Sequence, residues 1–231
     1  MKKRFLSKAL IAIVLLMAPA CVGAQDTGSK PLMRDVFAAM PDSLLPAVSK
    51  NNRLDCIDFI ENGLEAKVRN AFDDYVALEA LTPDYARFRS SAASVMELKL
   101  LPVTDSTSVL CVVTTAQVGE ESSPQSLEDS NVSFLSPDWS PLPADVVVPL
   151  VPALIPLEAF LAARTEEAAG DYEQALRALD DFRPVKVALS AEAPVATLTL
   201  QTAQLSKEER AALGDAVHPL SLHWQGNKFI P

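Results

Sequence analysis

Residues 94–118, "SVMELKLLPVTDSTSVLCVVTTAQV", predict two β-strands joined by a short turn. Apolar and charged side chains alternate from Met96 to Leu100, so we expect the apolar set to face a core and Glu97 and Lys99 to face water. Residues 109–113 are apolar at every position, which is typical of a central strand covered on both faces. The pair therefore predicts an antiparallel sheet with a buried centre.

The flanking text extends this sheet in both directions. "YVALEAL" (75–81) and "YARFRSS" (85–91) predict two earlier strands with short connections, which favour an antiparallel meander. Residues 117–131, "QVGEESSPQSLEDSN", are acidic and polar and predict an exposed loop. A fifth short strand is expected in "VSFLSPDWSPL" (132–142).

The C-terminal part repeats the order of helix followed by strands. Residues 157–182 have a helical pattern broken at Gly170, and "PVKVALS" and "VATLTLQTAQL" predict two strands. "SKEERAALGDAV" predicts a helix capped by Ser206 with Glu209 three residues later, and "LSLHWQG" predicts a last strand. Whether the two halves are a true duplication stays open.

We therefore predict an α+β fold, with antiparallel sheets, helices packed on one face and two helix-plus-meander halves. Residues 25–136 would form the N-terminal half and residues 157–231 the C-terminal half of one compact unit. Between them, residues 137–156 contain six prolines in an apolar run. Proline fixes φ and lacks an N–H donor, so this run is expected to be an extended crossover.

Residues 1–24 have the features of a secretory signal peptide. Basic residues precede an apolar stretch that ends at Val22-Gly23-Ala24, and the apolar part is too short to cross a membrane comfortably. We expect export, cleavage after Ala24 and no transmembrane segment in the mature chain. Cys21 leaves lipidation as an alternative, although the residues before it lack the leucine usual in a lipobox.

The mature chain would be strongly acidic. Loss of residues 1–24 removes four basic residues and no acid, which leaves 16 basic and 30 acidic residues. Such a surface is repelled by phosphate backbones, so nucleic acid is not an expected partner. The sequence contains no glycine-rich phosphate loop and no G-x-S-x-G, and we expect no cofactor.

"NNRLDCIDFIENG" (51–63) gathers acids and a thiol and raises the question of a chemical site. Helical spacing places Cys56 with the apolar residues and the acids on the opposite face, so we predict an amphipathic helix and no metal site. Cys56 and Cys111 would be the cysteines of the mature chain. A disulfide between them and two buried free thiols both fit the pattern. The two histidines, His218 and His223, lack the spacing of a metal pair.

The phrases "MPDSLLP", "NNRLD" and "MELKLLPV" resemble those of a family of exported Bacteroidales proteins, domain of unknown function 3256, over essentially the whole mature chain. The resemblance implies a location in a Gram-negative cell envelope, in the periplasm or anchored to a membrane, and no assigned activity. Secreted proteins of such bacteria can carry O-glycans at Asp-Ser followed by an apolar residue or threonine. Ser43 and Ser106 stand in triplets of that form.

The functional expectation is a non-catalytic binding, scaffold or accessory protein whose partner is an envelope protein, a peptide or a small apolar ligand. The alternative is a hydrolase-type periplasmic enzyme whose site forms only in three dimensions. A smooth groove or an exposed sheet edge would favour binding. Polar groups converging in a pocket around a carboxylate with a perturbed pKa would favour the enzyme.

Overall fold

The computed structural model describes residues 30–119, 126–162 and 170–231. The predicted signal peptide, with Cys21, lies outside the described residues. The same holds for residues 120–125 of the predicted loop and for residues 163–169 of the predicted helix.

The first sheet has six antiparallel strands that pair in chain order, as the meander pattern predicted. Alternation of apolar residues and short turns between consecutive strands explain this arrangement. The strands are β1 (Lys67–Arg69), β2 (Tyr75–Leu81), β3 (Tyr85–Ser91), β4 (Ser94–Pro102), β5 (Ser108–Val118) and β6 (Leu127–Leu135).

Two helices, α1 (Met33–Ala38) and α2 (Lys50–Glu61), cover one face of this sheet. Ser49 caps α2: its hydroxyl accepts a 3.2 Å hydrogen bond from the Asn52 amide. The apolar faces of both helices and the even-numbered residues of β3 to β5 form one core, which we call the helix-side core. Its buried members include Met33, Phe37, Cys56, Ile57, Phe88, Leu98 and Leu110.

A second sheet of four antiparallel strands packs on the opposite face. Its order is β10-β9-β8-β7, and one helix stands before β7 and another between β8 and β9. These elements are α3 (Gly170–Asp181), β7 (Val185–Leu189), β8 (Val195–Leu200), α4 (Lys207–Leu213), β9 (Leu220–Trp224) and β10 (Phe229–Ile230). The inter-sheet core between the halves includes Cys111, Val113, Phe160, Val187, Leu198 and Trp224. The α+β class with antiparallel sheets is confirmed.

The expectation that Glu97 and Lys99 face water is wrong. Their relative exposures are 4% and 2%, because the second half of the chain covers this face of β4. The Lys99 ammonium donates to the Ala191 carbonyl at 2.9 Å, a contact between residues 92 positions apart. Alternation within one strand gives no information about residues far along the chain that pack on it.

The predicted loop over residues 117–131 is also partly wrong, because β6 begins at Leu127 within it. Polar residues are tolerated there because they pair with the outer edge of β7. The Val185 and Val187 amides donate to Asp129 Oδ1 at 3.0 Å and to Ser130 Oγ at 2.9 Å. Side chains of one sheet thus satisfy the edge strand of the other.

The predicted helix at the start of the C-terminal half differs as well. Leu157–Phe160 is a short 3₁₀ turn after Pro156, and Leu161 forms an isolated bridge with Val217. The described α-helix begins only at Gly170. The short strands β1 and β10 were not predicted, since three and two residues carry no periodic signal.

The proline-rich segment runs along the surface of both cores. It contains a short 3₁₀ turn at Pro152–Leu154 and a single bridge from Pro141 to Leu135. Trp139, at a φ of 68°, buries its ring and donates from Nε1 to the Val36 carbonyl at 2.8 Å. This hydrogen bond fixes the segment to α1.

Candidate binding groove at the edge of the first sheet

An open groove of about 700 Å³ lies over the part of the first sheet that the second half leaves uncovered. At its centre, Ala77 of β2 pairs with Lys67 of β1 on one side and Arg89 of β3 on the other. Tyr75 and Glu79 lie before and after Ala77 on the same strand and line the same groove. The small side chain of Ala77, surrounded by the long side chains of these four residues, forms a depression in the surface.

Charged groups at this depression are held in fixed positions. Glu79 accepts from Arg89 Nε at 2.6 Å and from Arg87 Nε at 2.8 Å. Burial alone would raise the pKa of Glu79, but the hydrogen bonds from the two arginines outweigh it, and its pKa is lowered. Glu79 therefore stays an ionised carboxylate at neutral pH.

The lysine of the groove is held differently. The Lys67 ammonium lies 4.7 Å from the centroid of the Tyr75 ring, and the Arg69 guanidinium lies 5.0 Å from it. Within the described part of the chain Arg69 has an ion pair with Asp73, whereas Lys67 has none. Lys67 thus presents an exposed cation that has no carboxylate partner among the described residues.

Beside the depression, the outer edge of β2 is open. The Leu78 amide donates to the Ala66 carbonyl at 2.9 Å, and no described strand continues alongside Glu79 to Leu81. A second, smaller hollow of about 240 Å³ follows, and Ile60 lines both hollows. Its apolar lining consists of Leu32, Ile60, Leu81 and Pro83. Leu81 pairs with Ala86, which belongs to the helix-side core, so the smaller hollow lies on the other face of the sheet from Ala77. We call the two hollows and the open edge between them the groove.

A buried polar chain leads from the groove to the junction of the two halves. Arg87 Nη1 lies 3.2 Å from Glu97 Oε1, which also accepts a 2.6 Å hydrogen bond from the Tyr85 hydroxyl. Burial, followed by the neighbouring Glu97, raises the pKa of Tyr85 well above its ordinary value. The Lys99 ammonium lies beside this chain, 2.9 Å from Asp84 Oδ2 and 5.8 Å from the centroid of the Tyr85 ring. Every charge of this network has a partner, and the Lys99 bond to the Ala191 carbonyl links the network to the second half of the chain.

Cys56 and Cys111, for which the sequence leaves a disulfide open, lie apart. Cys56 belongs to the helix-side core and Cys111 to the inter-sheet core, so the first sheet separates them, and both thiols are free. Burial raises the pKa of Cys56 to about 11 and raises that of Cys111 further. A bond between them would require the sheet to open.

The remaining predicted positions lie on the surface. Ser43 and Ser106 are exposed, as are His218 and His223. Among residues 30–119, 126–162 and 170–231, no three histidine, cysteine or carboxylate side chains converge as metal ligands. O-glycosylation of the two serines stays a prediction.

Sequence reasoning did not find the groove. Tyr75, Ala77 and Glu79 alternate along one face of a predicted strand, and the small residue between two large ones was the available signal. Lys67 could not be added to them, because the three-residue β1 carries no strand pattern of its own. Arg53 was missed too, although it lies three and four residues before Cys56 and Ile57 and so faces the core with them.

These features define an α+β protein of two packed antiparallel sheets with a groove at one sheet edge. The family model described as "Protein of unknown function (DUF3256)" matches residues 25–229, so the chain belongs to this family, as the sequence resemblance indicated. Comparison with curated proteins gives no match.

A solved structure has the same fold. The chain is similar to a domain of an uncharacterized protein from Porphyromonas gingivalis W83, with a TM-score of 0.67 and 25% sequence identity. The match covers 87% of this chain and 98% of the other. In the part of the chain described by the structure, no helix combines the length and apolar character needed to cross a membrane.

Proposed function

We propose that this protein is an exported cell-envelope protein that acts by binding, and that it holds an extended peptide in the groove along β2. The observation that carries the proposal is the open edge from Glu79 to Leu81, which lies between an apolar hollow and a charged one. A peptide that adds a strand to such an edge gains main-chain hydrogen bonds, and hollows beside the edge select its side chains.

Binding is favoured over hydrolysis by the state of Glu79. A general acid in the groove would need a carboxyl group whose pKa is raised towards neutrality. The pKa of Glu79 is lowered instead, because hydrogen bonds from two arginines favour the ionised carboxylate. The structure therefore gives less support to a hydrolase-type enzyme than to a binding protein.

Peptide selection tests the proposal. Heptapeptides from a random library would be selected on the immobilised mature chain and their affinities measured by fluorescence anisotropy. Ala77→Trp fills the depression and should abolish binding. Ala188→Trp is the matched control, because Ala188 is also a half-buried alanine on the outward face of a strand. Failure to select any peptide, or equal binding by both variants, would reject the proposal.

Backbone methylation of a selected peptide tests the strand geometry. Only alternate amides of an added strand face the sheet edge, so N-methyl groups should weaken binding at every second position. A peptide held by its side chains alone would show no alternation. Stability of each variant would be checked by chemical denaturation.

Export is supported by the features of residues 1–24 and by the start of the family match at Gln25. The mass of the protein isolated from envelope fractions of the source bacterium tests it. We expect an N-terminus at Gln25. An intact Met1 would reject cleavage, and a lipid on Cys21 would establish the anchored form.

A further inference from the structure

The charges of the groove specify the chemistry of the peptide, and this inference rests on the proposed function. We propose that the groove selects a peptide with an acidic side chain over Ala77 and an apolar side chain in the hollow between Leu32 and Leu81.

The acidic position follows from two cations that face each other across Ala77. Lys67 has no ion pair within the described residues, and Arg89 gives only its Nε atom to Glu79. Paired strands lie about 4.8 Å apart, so the Cα atoms of Lys67 and Arg89 are about 10 Å apart, and a carboxylate between them reaches both side chains. The terminal nitrogens of an arginine suit a carboxylate well.

Carboxylates also line the hollow around Ala77, and their positions determine whether they oppose an acidic side chain there. Glu79 is shared by Arg87 and Arg89, and Asp74 accepts the neighbouring Tyr75 amide at 2.7 Å. Glu65 stands at the exposed rim. The side chains that directly flank Ala77 are thus those of Lys67 and Arg89, which are both cationic. The chain as a whole has a formal net charge of −10.

The apolar position follows from the lining of the smaller hollow. Leu32, Ile60, Leu81 and Pro83 surround it, and the open edge of β2 from Glu79 to Leu81 lies between this hollow and Ala77, where β1 covers the edge. Leu81 is four positions after Ala77, or about 13 Å along the strand, and the two face opposite sides of the sheet. An extended peptide covers this distance with its two side chains three or five positions apart, because an odd spacing places them on opposite faces. The acidic and apolar side chains should have that spacing.

Charge exchange on a selected peptide tests the inference. Replacing its acidic residue by glutamine should weaken binding about tenfold, because a charge-assisted pair is lost. A lysine at that position should bind poorly to the wild type and better to Lys67→Glu. Lys207→Glu, at an exposed lysine of α4, is the matched control and should change nothing.

The outcomes separate this inference from the proposed function. If peptides bind but glutamate and glutamine bind equally, or if the selected peptides are basic, the acidic specificity is rejected and peptide binding stands. If no peptide binds, both are rejected.

Discussion

The Tyr85 hydroxyl donates a 2.6 Å hydrogen bond to Glu97 in the space between the two sheets. Glu97 also pairs with Arg87, which in turn bonds Glu79 in the groove. The charged residues of the groove and the junction of the two halves therefore belong to one connected chain of hydrogen bonds and ion pairs. Buried charges of this kind cost stability when one partner is removed.

Tyr85→Phe should destabilise the protein by about 1.5–3 kcal/mol, because Glu97 loses a buried hydrogen bond to a charged acceptor. Chemical denaturation monitored by far-ultraviolet circular dichroism would measure the change. Tyr75→Phe is the control, since Tyr75 is 45% exposed, and its effect should be small. Equal effects of the two substitutions would mean that the bond to Glu97 contributes nothing.

The strands β2 to β5 of the first sheet could be predicted, because alternation and turn signals are local. The cap of α4 could also be predicted from the local sequence, because Ser206 and Glu209 form the reciprocal pair of a capping box. The burial of Glu97 and Lys99 could not be predicted, since it depends on a cover that includes Ala191. Sequence patterns report which side chains share a face and do not report what later packs on it.

The groove could not be predicted from the sequence for a similar reason. Its depression requires Lys67, Ala77 and Arg89 side by side, and that register is set by the pairing of three strands. One of these strands is too short to have a pattern of its own. A candidate site made of cross-strand neighbours becomes visible only when the register is known.

Glu79→Gln should lower stability at neutral pH and have little effect in acid. The pKa of Glu79 is lowered in the folded state, so its stabilising contribution is present above the unfolded pKa of about 4.3 and is lost as the pH falls through the lowered folded value. Because Glu79 is partly exposed, the loss at pH 7 should stay below about 1 kcal/mol. Urea denaturation at several pH values would measure it.

The control for this pH profile is Glu158→Gln. Glu158 is exposed and has no ion pair within the described residues, so its substitution should leave the profile unchanged. A loss for Glu79→Gln that persists undiminished at pH 2 would show that the effect is not electrostatic.

Cys56 and Cys111 should both be alkylated without reductant once the protein is unfolded, because the sheet between them prevents a disulfide. In the folded protein both should react slowly, since burial raises the pKa of each thiol and shields it. Intact-mass measurement after iodoacetamide treatment, with and without denaturant, would count the adducts. An unfolded protein that gains adducts only after reduction would contain the disulfide.

Arg53→Met should destabilise the protein by about 2–4 kcal/mol, although arginine and methionine occupy similar space. Arg53 is 1% exposed, and its Nη1 donates at 2.9 Å to both Asp42 Oδ1 and the Val48 carbonyl. Its Nη2 donates to the Met40 carbonyl, so the substitution leaves buried carbonyls without donors. Urea denaturation would measure the loss, with Arg34→Met as the control at an exposed ion pair. If both variants lose less than about 1 kcal/mol, water replaces the guanidinium and the carbonyls are not isolated by burial.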